Sequence, residues 1–219
     1  MKRWIVEEVG PVTLAGGGEI APGSLEEALA LAPVLAAADG GATAALAAGH
    51  LPRAVIGDFD SLPAETRAAL PRERLFHVTE QDSTDFDKAL RAISAPVVLA
   101  VGFLGGRLDH QLAALSTLVQ GHPAPCVLIG ETEVIFHATS PVELPLEAGD
   151  VVSLYPMQAV TGRSEGLQWP IDGLRLSPMG RVGTSNRALG PVRILPDGPG
   201  LLVIAPRRAL RTVMQAVRR

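Results

Sequence analysis

The 219-residue sequence predicts an α/β fold, a mostly parallel sheet covered by helices, followed by a small antiparallel β-sandwich or barrel. Three observations predict it. From Pro11 to about Gly130 short apolar runs alternate with segments of helical pattern, and each run ends in glycine, an acid or both. After about Pro145 the helical patterns stop, and β-prone pieces follow one another between closely spaced Gly, Pro and Asp. The expected organisation is therefore an α/β domain over residues 1–145 and a β-rich domain with a basic tail over 146–219.

In chain order, the strand candidates of the first part are PVTLAGGG, PVLAAADGG, RAVIGDFD, RLFHVTEQD, PVVLAVGFLGG and PCVLIG. Between them SLEEALAL, ATAALAAG, AETRAAL, TDFDKALRAI and DHQLAALSTLVQG carry helical periodicity. In sheets of this kind ligands gather outside the carboxyl ends of the strands. The second part offers VVSLYP, AVTGRS, RVGTSN, PVRILP and GLLVIAP as short strands. Its tail, PRRALRTVMQAVRR, sets Leu210, Val213, Met214 and Val217 on one helical stripe among five arginines, which predicts a helix closing a surface of its own protein or dimer.

Apolar residues make up 47% of the chain and aromatic residues 4%, so the core is expected to consist mainly of Ala, Val, Leu and Ile. The net charge of −4 conceals an asymmetry. Residues 1–150 hold nine basic and twenty acidic side chains, net −11, and residues 151–219 hold ten and three, net +7. Such a split suits an acidic, metal-holding part and a basic part facing an anion, or two docking surfaces of opposite charge. Cys126, alone in the chain, excludes a disulfide framework and a cysteine zinc site. Glu7 and Glu8 interrupt any apolar leader, and no apolar run approaches the roughly 18 residues of a membrane span. The expectation is a cytoplasmic protein with neither a membrane nor a nucleic acid as partner.

The chemistry lies in four acid-bearing corners at expected strand ends: ADGG at 38–41, GDFDS at 57–61, QDSTDFDKAL at 81–90 and GGRLDH at 105–110. Asp58 and Asp60 stand one residue apart. Two carboxylates about 4 Å apart repel by roughly 4 kcal/mol at an effective dielectric near 20, and a cation between them reverses the sign. The alternative is a capped turn, which Asp and Ser after a strand also make. Four such corners on one edge of a parallel sheet would build an oxygen-rich crevice suited to Mg²⁺ and phosphates. Asp82, Asp85 and Asp109 can each cap or charge a helix start, and a capping residue still faces the crevice mouth. GxxxxGK[ST] and GxGxxG are both absent, and the lysines are Lys2 and Lys88 alone, which excludes a P-loop and argues against a dinucleotide site. The five histidines show no zinc spacing.

In order and spacing these corners resemble the thiamine pyrophosphokinase family, and SLYP at 153–156, TGRSEGLQWPI at 161–171 and TSN at 184–186 extend the resemblance through the last third. The resemblance implies transfer of a pyrophosphoryl group from ATP to the hydroxyl of thiamine, giving thiamine diphosphate and AMP. It implies a homodimer with the vitamin held between the α/β domain of one subunit and the β-domain of the other. Carried over by position, Asp58, Asp60 and Asp85 hold Mg²⁺ and the triphosphate. Asp39, Gly40, Gly41, Asp82, Gly105, Gly106, Arg107 and Asp109 shape the nucleotide and phosphate site, and Asp85 or Asp109 receives the hydroxyl proton. Gln81, Trp169, Ser185 and Asn186 face thiamine. Thr43 and Ala114 depart from the family, which commonly has Asn at both positions, so the preferred nucleotide stays open. Two rivals remain beside this reading: a related diphosphokinase of another hydroxymethyl substrate such as a pterin, and a catalytically silent thiamine-binding protein.

Overall fold

The computed structural model describes residues 4–218, which form two compact units, 4–131 and 132–218. Lys2, Arg3 and the last arginine of the tail, Arg219, lie outside the described residues.

The first unit contains β1 (Val6–Glu7), β2 (Val12–Ala15), α1 (Ser24–Leu31), β3 (Val34–Ala38), α2 (Gly41–Ala47), β4 (Ala54–Gly57), α3 (Ala64–Ala69), β5 (Leu75–His77), α4 (Asp85–Ala92), β6 (Ile93–Ser94), β7 (Val98–Val101), α5 (Leu108–Leu118) and β8 (Cys126–Ile129). Six of its strands pair in parallel in the order β8-β7-β2-β3-β4-β5. Their residues are buried nearly without alternation, as strands with both faces covered require: β2, β4, β7 and β8 are buried at every position. Helices α1, α2 and α4 pack on these strands. The chain runs from β2 outward through β3, β4 and β5, then returns to β7 on the other side of β2, so successive connections leave the sheet in opposite directions. Ile93, placed by its periodicity in a helix, instead pairs with Val6 in the small parallel ladder β1-β6, and α4 stops at Ala92. Cys126 begins β8 buried, and burial raises its thiol above the usual range.

The second unit contains β9 (Glu133–Ala138), β10 (Val142–Leu144), β11 (Val151–Pro156), β12 (Gly162–Leu167), β13 (Gly183–Pro196), β14 (Leu201–Pro206) and α6 (Leu210–Val217). Its ladders β9-β14, β14-β11, β11-β13, β13-β10 and β13-β12 are antiparallel. The break between units falls before Pro145, because β9 pairs with β14 and β10 with β13, both strands of the second unit. RVGTSN and PVRILP, expected as separate strands, are one strand of 14 residues. It serves β11 along its first half and β10 and β12 along its second. The tail stripe behaves as expected of a closing helix: Leu210, Val213 and Met214 are buried, α6 packs on β10, and Arg208 pairs with Asp150. Among the described residues no helix is long and apolar enough to cross a membrane.

Candidate active site

The parallel sheet delivers its acids to one end. Asp39 follows the last residue of β3, Asp58 follows the last residue of the neighbouring β4, and Asp85 is the first residue of α4. Together with Asp60 they form a group in which one carboxylate oxygen from each lies within 4.8 Å of the others. The sequence explains how. Phe59 turns its ring into the core with Ala37, Val55, Leu62 and Leu70, and stacks on His77 at 5.3 Å. That anchor holds a backbone φ of 67°, and Asp39 holds φ 40°, a region costing of order 1–3 kcal/mol for each such residue. With Phe59 fixed inside, Asp58 and Asp60 are left on the crevice side. Gly57 admits Asp39 and Asp85 to this corner, since a Cβ there would stand 2.9 Å from the Asp39 Cβ and 3.2 Å from Asp85 Oδ1.

Hydrogen bonds hold part of the cluster. The Ser61 N–H donates to Asp39 Oδ2 at 3.1 Å, the Asp60 N–H to Asp58 Oδ1 at 3.3 Å, and the Ser61 hydroxyl to Asp60 Oδ1 at 3.0 Å. The turn and the ligand group are thus the same structure. Gln81 Nε2 donates to Asp58 Oδ2 at 3.2 Å, which brings this expected substrate contact against the acids. Thr84, rather than Asp82, caps α4 by accepting from the Asp87 N–H, and Asp82 stays exposed in the preceding loop.

Lys88 was used in the sequence only to exclude a P-loop, yet it stands in the middle of this group. Its Nζ lies 2.7 Å from Asp58 Oδ2 and 3.1 Å from Asp85 Oδ1, and its side chain is 2% exposed. Burial works against the ammonium, but the two carboxylates outweigh it and raise Lys88 above its usual value. The hydrogen bond from Lys88 likewise holds Asp58 below the ordinary carboxylate range, against its burial. The signal that could have found Lys88 is its spacing: three residues after Asp85, it shares that residue's face of α4.

One cation does not balance four carboxylates. Asp39 shows the deficit: burial pushes it up to about 6, with Asp85, Asp58 and Asp60 adding to the effect and the Ser61 N–H opposing it. Its Oδ1 is buried and has no hydrogen-bond partner among the described residues. An orphaned acceptor beside three further carboxylate oxygens is what a hard divalent cation with oxygen ligands fits.

The fourth expected corner does not join the group. Arg107 Nη2 lies 2.6 Å from Asp109 Oδ2 and its Nε 3.1 Å from Oδ1, so the guanidinium fork occupies both carboxylate oxygens. Each raises or lowers the other accordingly, Arg107 upward and Asp109 downward, and both are largely exposed. Asp109 does not cap α5, whose start carries no side-chain cap bond. Gly105 and Gly106, with φ of 88° and 70°, make the exposed turn before Arg107, and Gly40 and Gly41 open α2 beside Asp39. Thr43 faces Thr66 at 3.2 Å, and Ala114 is buried in α5.

The remaining expected residues belong to the second unit. Trp169 is 55% exposed just after β12. Ser185 is exposed with φ 58°, its N–H donating to Ser153 Oγ. Asn186, expected to face a ligand beside Ser185, is instead 4% exposed and spends its amide on the backbone of Trp169. The alternation of β13 places it with Ala188, Val192 and Ile194 on the buried face.

Comparison with known proteins places this geometry in context. Residues 25–128 match the family model described as thiamin pyrophosphokinase, catalytic domain. A protein named thiamine pyrophosphokinase 1 from Oryza sativa subsp. japonica is 29% identical over 156 residues, which cover 63% of this chain and 59% of that protein. A protein of the same name from Arabidopsis thaliana is 26% identical over 156 residues, covering 63% of this chain and 58% of the relative. The matched stretch thus spans less than two thirds of these relatives. Among solved structures, a thiamin pyrophosphokinase from Candida albicans is similar with a TM-score of 0.75 at 14% identity, over 94% of this chain and 95% of that one. A thiamine pyrophosphokinase from Bacillus subtilis gives 0.72 at 21% identity, over 90% and 98%. At such identities the structural likeness bears on the fold.

Proposed function

We propose, from the match of residues 25–128 to the thiamin pyrophosphokinase catalytic-domain family model, that the chain transfers the pyrophosphoryl group of ATP to the hydroxyl of thiamine. The observation that carries the proposal is the group formed by Asp39, Asp58, Asp60 and Asp85, four acids from three strand-end corners with one unpartnered buried oxygen.

In this reading those four carboxylates hold Mg²⁺, with Asp39 joining the three expected ligands. The ion, when bound, supplies positive charge to the phosphate oxygens during transfer. Lys88 orients Asp58 and Asp85 and offsets part of their charge. Arg107, exposed and among the described residues paired with its neighbour Asp109, exchanges that partner for phosphate oxygens, which its planar fork matches equally well. The thiamine hydroxyl oxygen forms a bond to the β-phosphorus as the bond from that phosphorus to the α–β bridging oxygen breaks. AMP leaves with the bridging oxygen, and the hydroxyl proton passes to a carboxylate or water, since a loose transition state asks little of a base. Trp169 offers an exposed indole face to the planar, cationic vitamin, and Gln81 orients it from beside Asp58. The antiparallel unit is the vitamin-binding domain, and a homodimer in a cytoplasmic setting belongs to the same proposal.

The test is the nucleotide product. Purified protein with ATP, Mg²⁺ and thiamine is expected to release AMP and thiamine diphosphate in equal amounts. Release of ADP with thiamine monophosphate would refute attack at the β-phosphorus, and binding of thiamine with no AMP would favour the silent binding protein. Turnover of a hydroxymethylpterin in place of thiamine would move the proposal to the other rival.

A further inference from the structure

The loop carrying Trp169 is fastened unusually well for one that displays an exposed ring. The ladder between β12 and β13 ends at the pair Leu167 and Ala188, after a register shift at Gly166. Gly166 has φ 76°, and a Cβ there would stand 2.0 Å from the Pro191 carbonyl oxygen, so the bulge requires glycine. Beyond the last pair, the Gln168 N–H still donates to the Arg187 carbonyl at 2.8 Å. From there the side chain of Asn186 takes over from the backbone. Its Nδ2 donates to the Trp169 carbonyl at 2.7 Å, and its Oδ1 accepts from the Trp169 N–H at 3.1 Å and from the Arg187 N–H at 2.8 Å. Downstream, the Ile171 N–H donates to Ser164 Oγ at 3.0 Å, and the Ser164 N–H to Asp172 Oδ2 at 3.1 Å.

Two features make this more than a loop anchor. Asn186 occupies a core position, where an amide is costly unless its bonds are made, and they are made to main chain, two of the three to Trp169 and one to Arg187. The ring of Trp169 is more than half exposed and has no ring or cation partner among the described residues. Pro170 follows, which restricts Trp169 to extended backbone.

We infer that Asn186 is a positioning residue that fixes the main chain of Trp169 at both its N–H and its carbonyl, so that the indole is presented as a rigid platform before substrate arrives. The inference rests on the reading of Trp169 as the face on which thiamine stacks. Asn186 acts through Trp169 and does not touch the vitamin. Its neighbour Ser185 lies at the bulge between β11 and β13, where the register shifts, and that bulge supplies the turn of the strand that sends Asn186 inward.

The test is a double-mutant cycle on Trp169→Ala and Asn186→Ala, with Asn186→Asp as the near-isosteric variant that keeps Oδ1 but sets an acceptor, charged when ionised, against the Trp169 carbonyl in place of the donor. Thiamine KM and kcat are read from AMP release, and thiamine binding is read by calorimetry. In a Trp4→Phe background, where Trp169 is the sole tryptophan, fluorescence anisotropy decay of the substrate-free protein reads the motion of the indole. Asn186→Ala and Asn186→Asp are expected to raise thiamine KM about tenfold with kcat within about twofold of the parent, the pattern of lost binding without lost chemistry. Both are expected to add a fast component to the anisotropy decay. On the Trp169→Ala background Asn186→Ala is expected to add nothing further. Full additivity of the two losses, or an unchanged anisotropy decay in Asn186→Asp, would overturn the positioning role. Should Trp169→Ala leave thiamine KM unchanged, the platform reading fails, and the anisotropy arm then decides the clamp alone.

Discussion

The acid corner of the first unit and the Trp169 loop of the second are both fixed before a ligand arrives, by opposite means. Around Asp39, Asp58, Asp60 and Asp85 the order is held under electrostatic tension: four acids, one buried ammonium and one orphaned oxygen. Around Trp169 the order is held by neutral hydrogen bonds between one buried amide and the main chain. The difference teaches what each site can respond to. A charged cluster with unmet charge answers to protons, salt and cations, because its energy falls when they bind. A neutral amide clamp has no such handle, and it answers to the removal of its own atoms.

The largest effect that sharpens this contrast is on chemistry. Asp58→Asn keeps the shape of the corner but removes a charge that Lys88 and Gln81 both address. AMP release is expected to fall by about a thousandfold or more in kcat/KM, the order seen when a group stabilising transferring charge is lost. Thiamine affinity measured by calorimetry without nucleotide is expected to fall far less, because of the proposed thiamine contacts only Gln81 bonds Asp58.

Next in size is the internal cation. Lys88→Met preserves most of the buried stem and removes the ammonium from between two carboxylates, so the metal-free protein is expected to lose on the order of 3 kcal/mol of stability. Added Mg²⁺ is expected to restore more of the thermal midpoint in the variant than it adds to the parent. An equal Mg²⁺ response in both would break the idea that the two cations share one cluster.

The smallest effect is that of pH, and its sign follows from Asp39. Its folded pKa, about 6, lies above the ordinary value of 3.8, so the neutral acid is the form that folding favours. This contribution is present below about pH 4 and is lost as pH rises through 6, so from this group the metal-free protein weakens across that window. A cation must displace the same proton. Apparent Mg²⁺ affinity is therefore expected to fall below pH 6 by up to about tenfold per unit and to level off above it. Over the same range the anisotropy decay of Trp169 is expected to stay constant, and a matching pH dependence would erase the contrast between the two regions.

Much of this was legible in the chain. The alternation of apolar runs and helical patterns forecast the parallel sheet, and the rule that ligands gather at strand carboxyl ends forecast the meeting of Asp39, Asp58, Asp60 and Asp85. What periodicity does not carry is the third dimension of side-chain reach. Lys88 reads as one polar residue in an amphipathic helix, and only the fold brings it across thirty residues to Asp58. Phe59 reads as a spacer between two acids, while its real work is to send both away from the core. Asn186 reads as the end of the short strand RVGTSN and, by resemblance, as a ligand contact, and nothing in its spacing forecasts an inward amide. The long strand β13 carries it through, and Pro191 sits opposite the Gly166 bulge, where a missing ladder donor costs little. The Arg107 and Asp109 corner is expected beside the other acids, and the structure leaves the two exposed and paired with each other. Strands β9 and β10 lie between the alternating pattern that ends near Gly130 and the β-prone pieces that begin after Pro145, so neither pattern takes them in.

The position of Cys126 carries a practical consequence. As the sole cysteine in the sequence, buried at the start of β8 with burial holding its thiol toward the neutral form, it is expected to react slowly with maleimide and iodoacetamide in the folded protein. A single cysteine introduced on the surface of either unit would therefore accept a dye or spin label at one known place, with the native thiol left where it is.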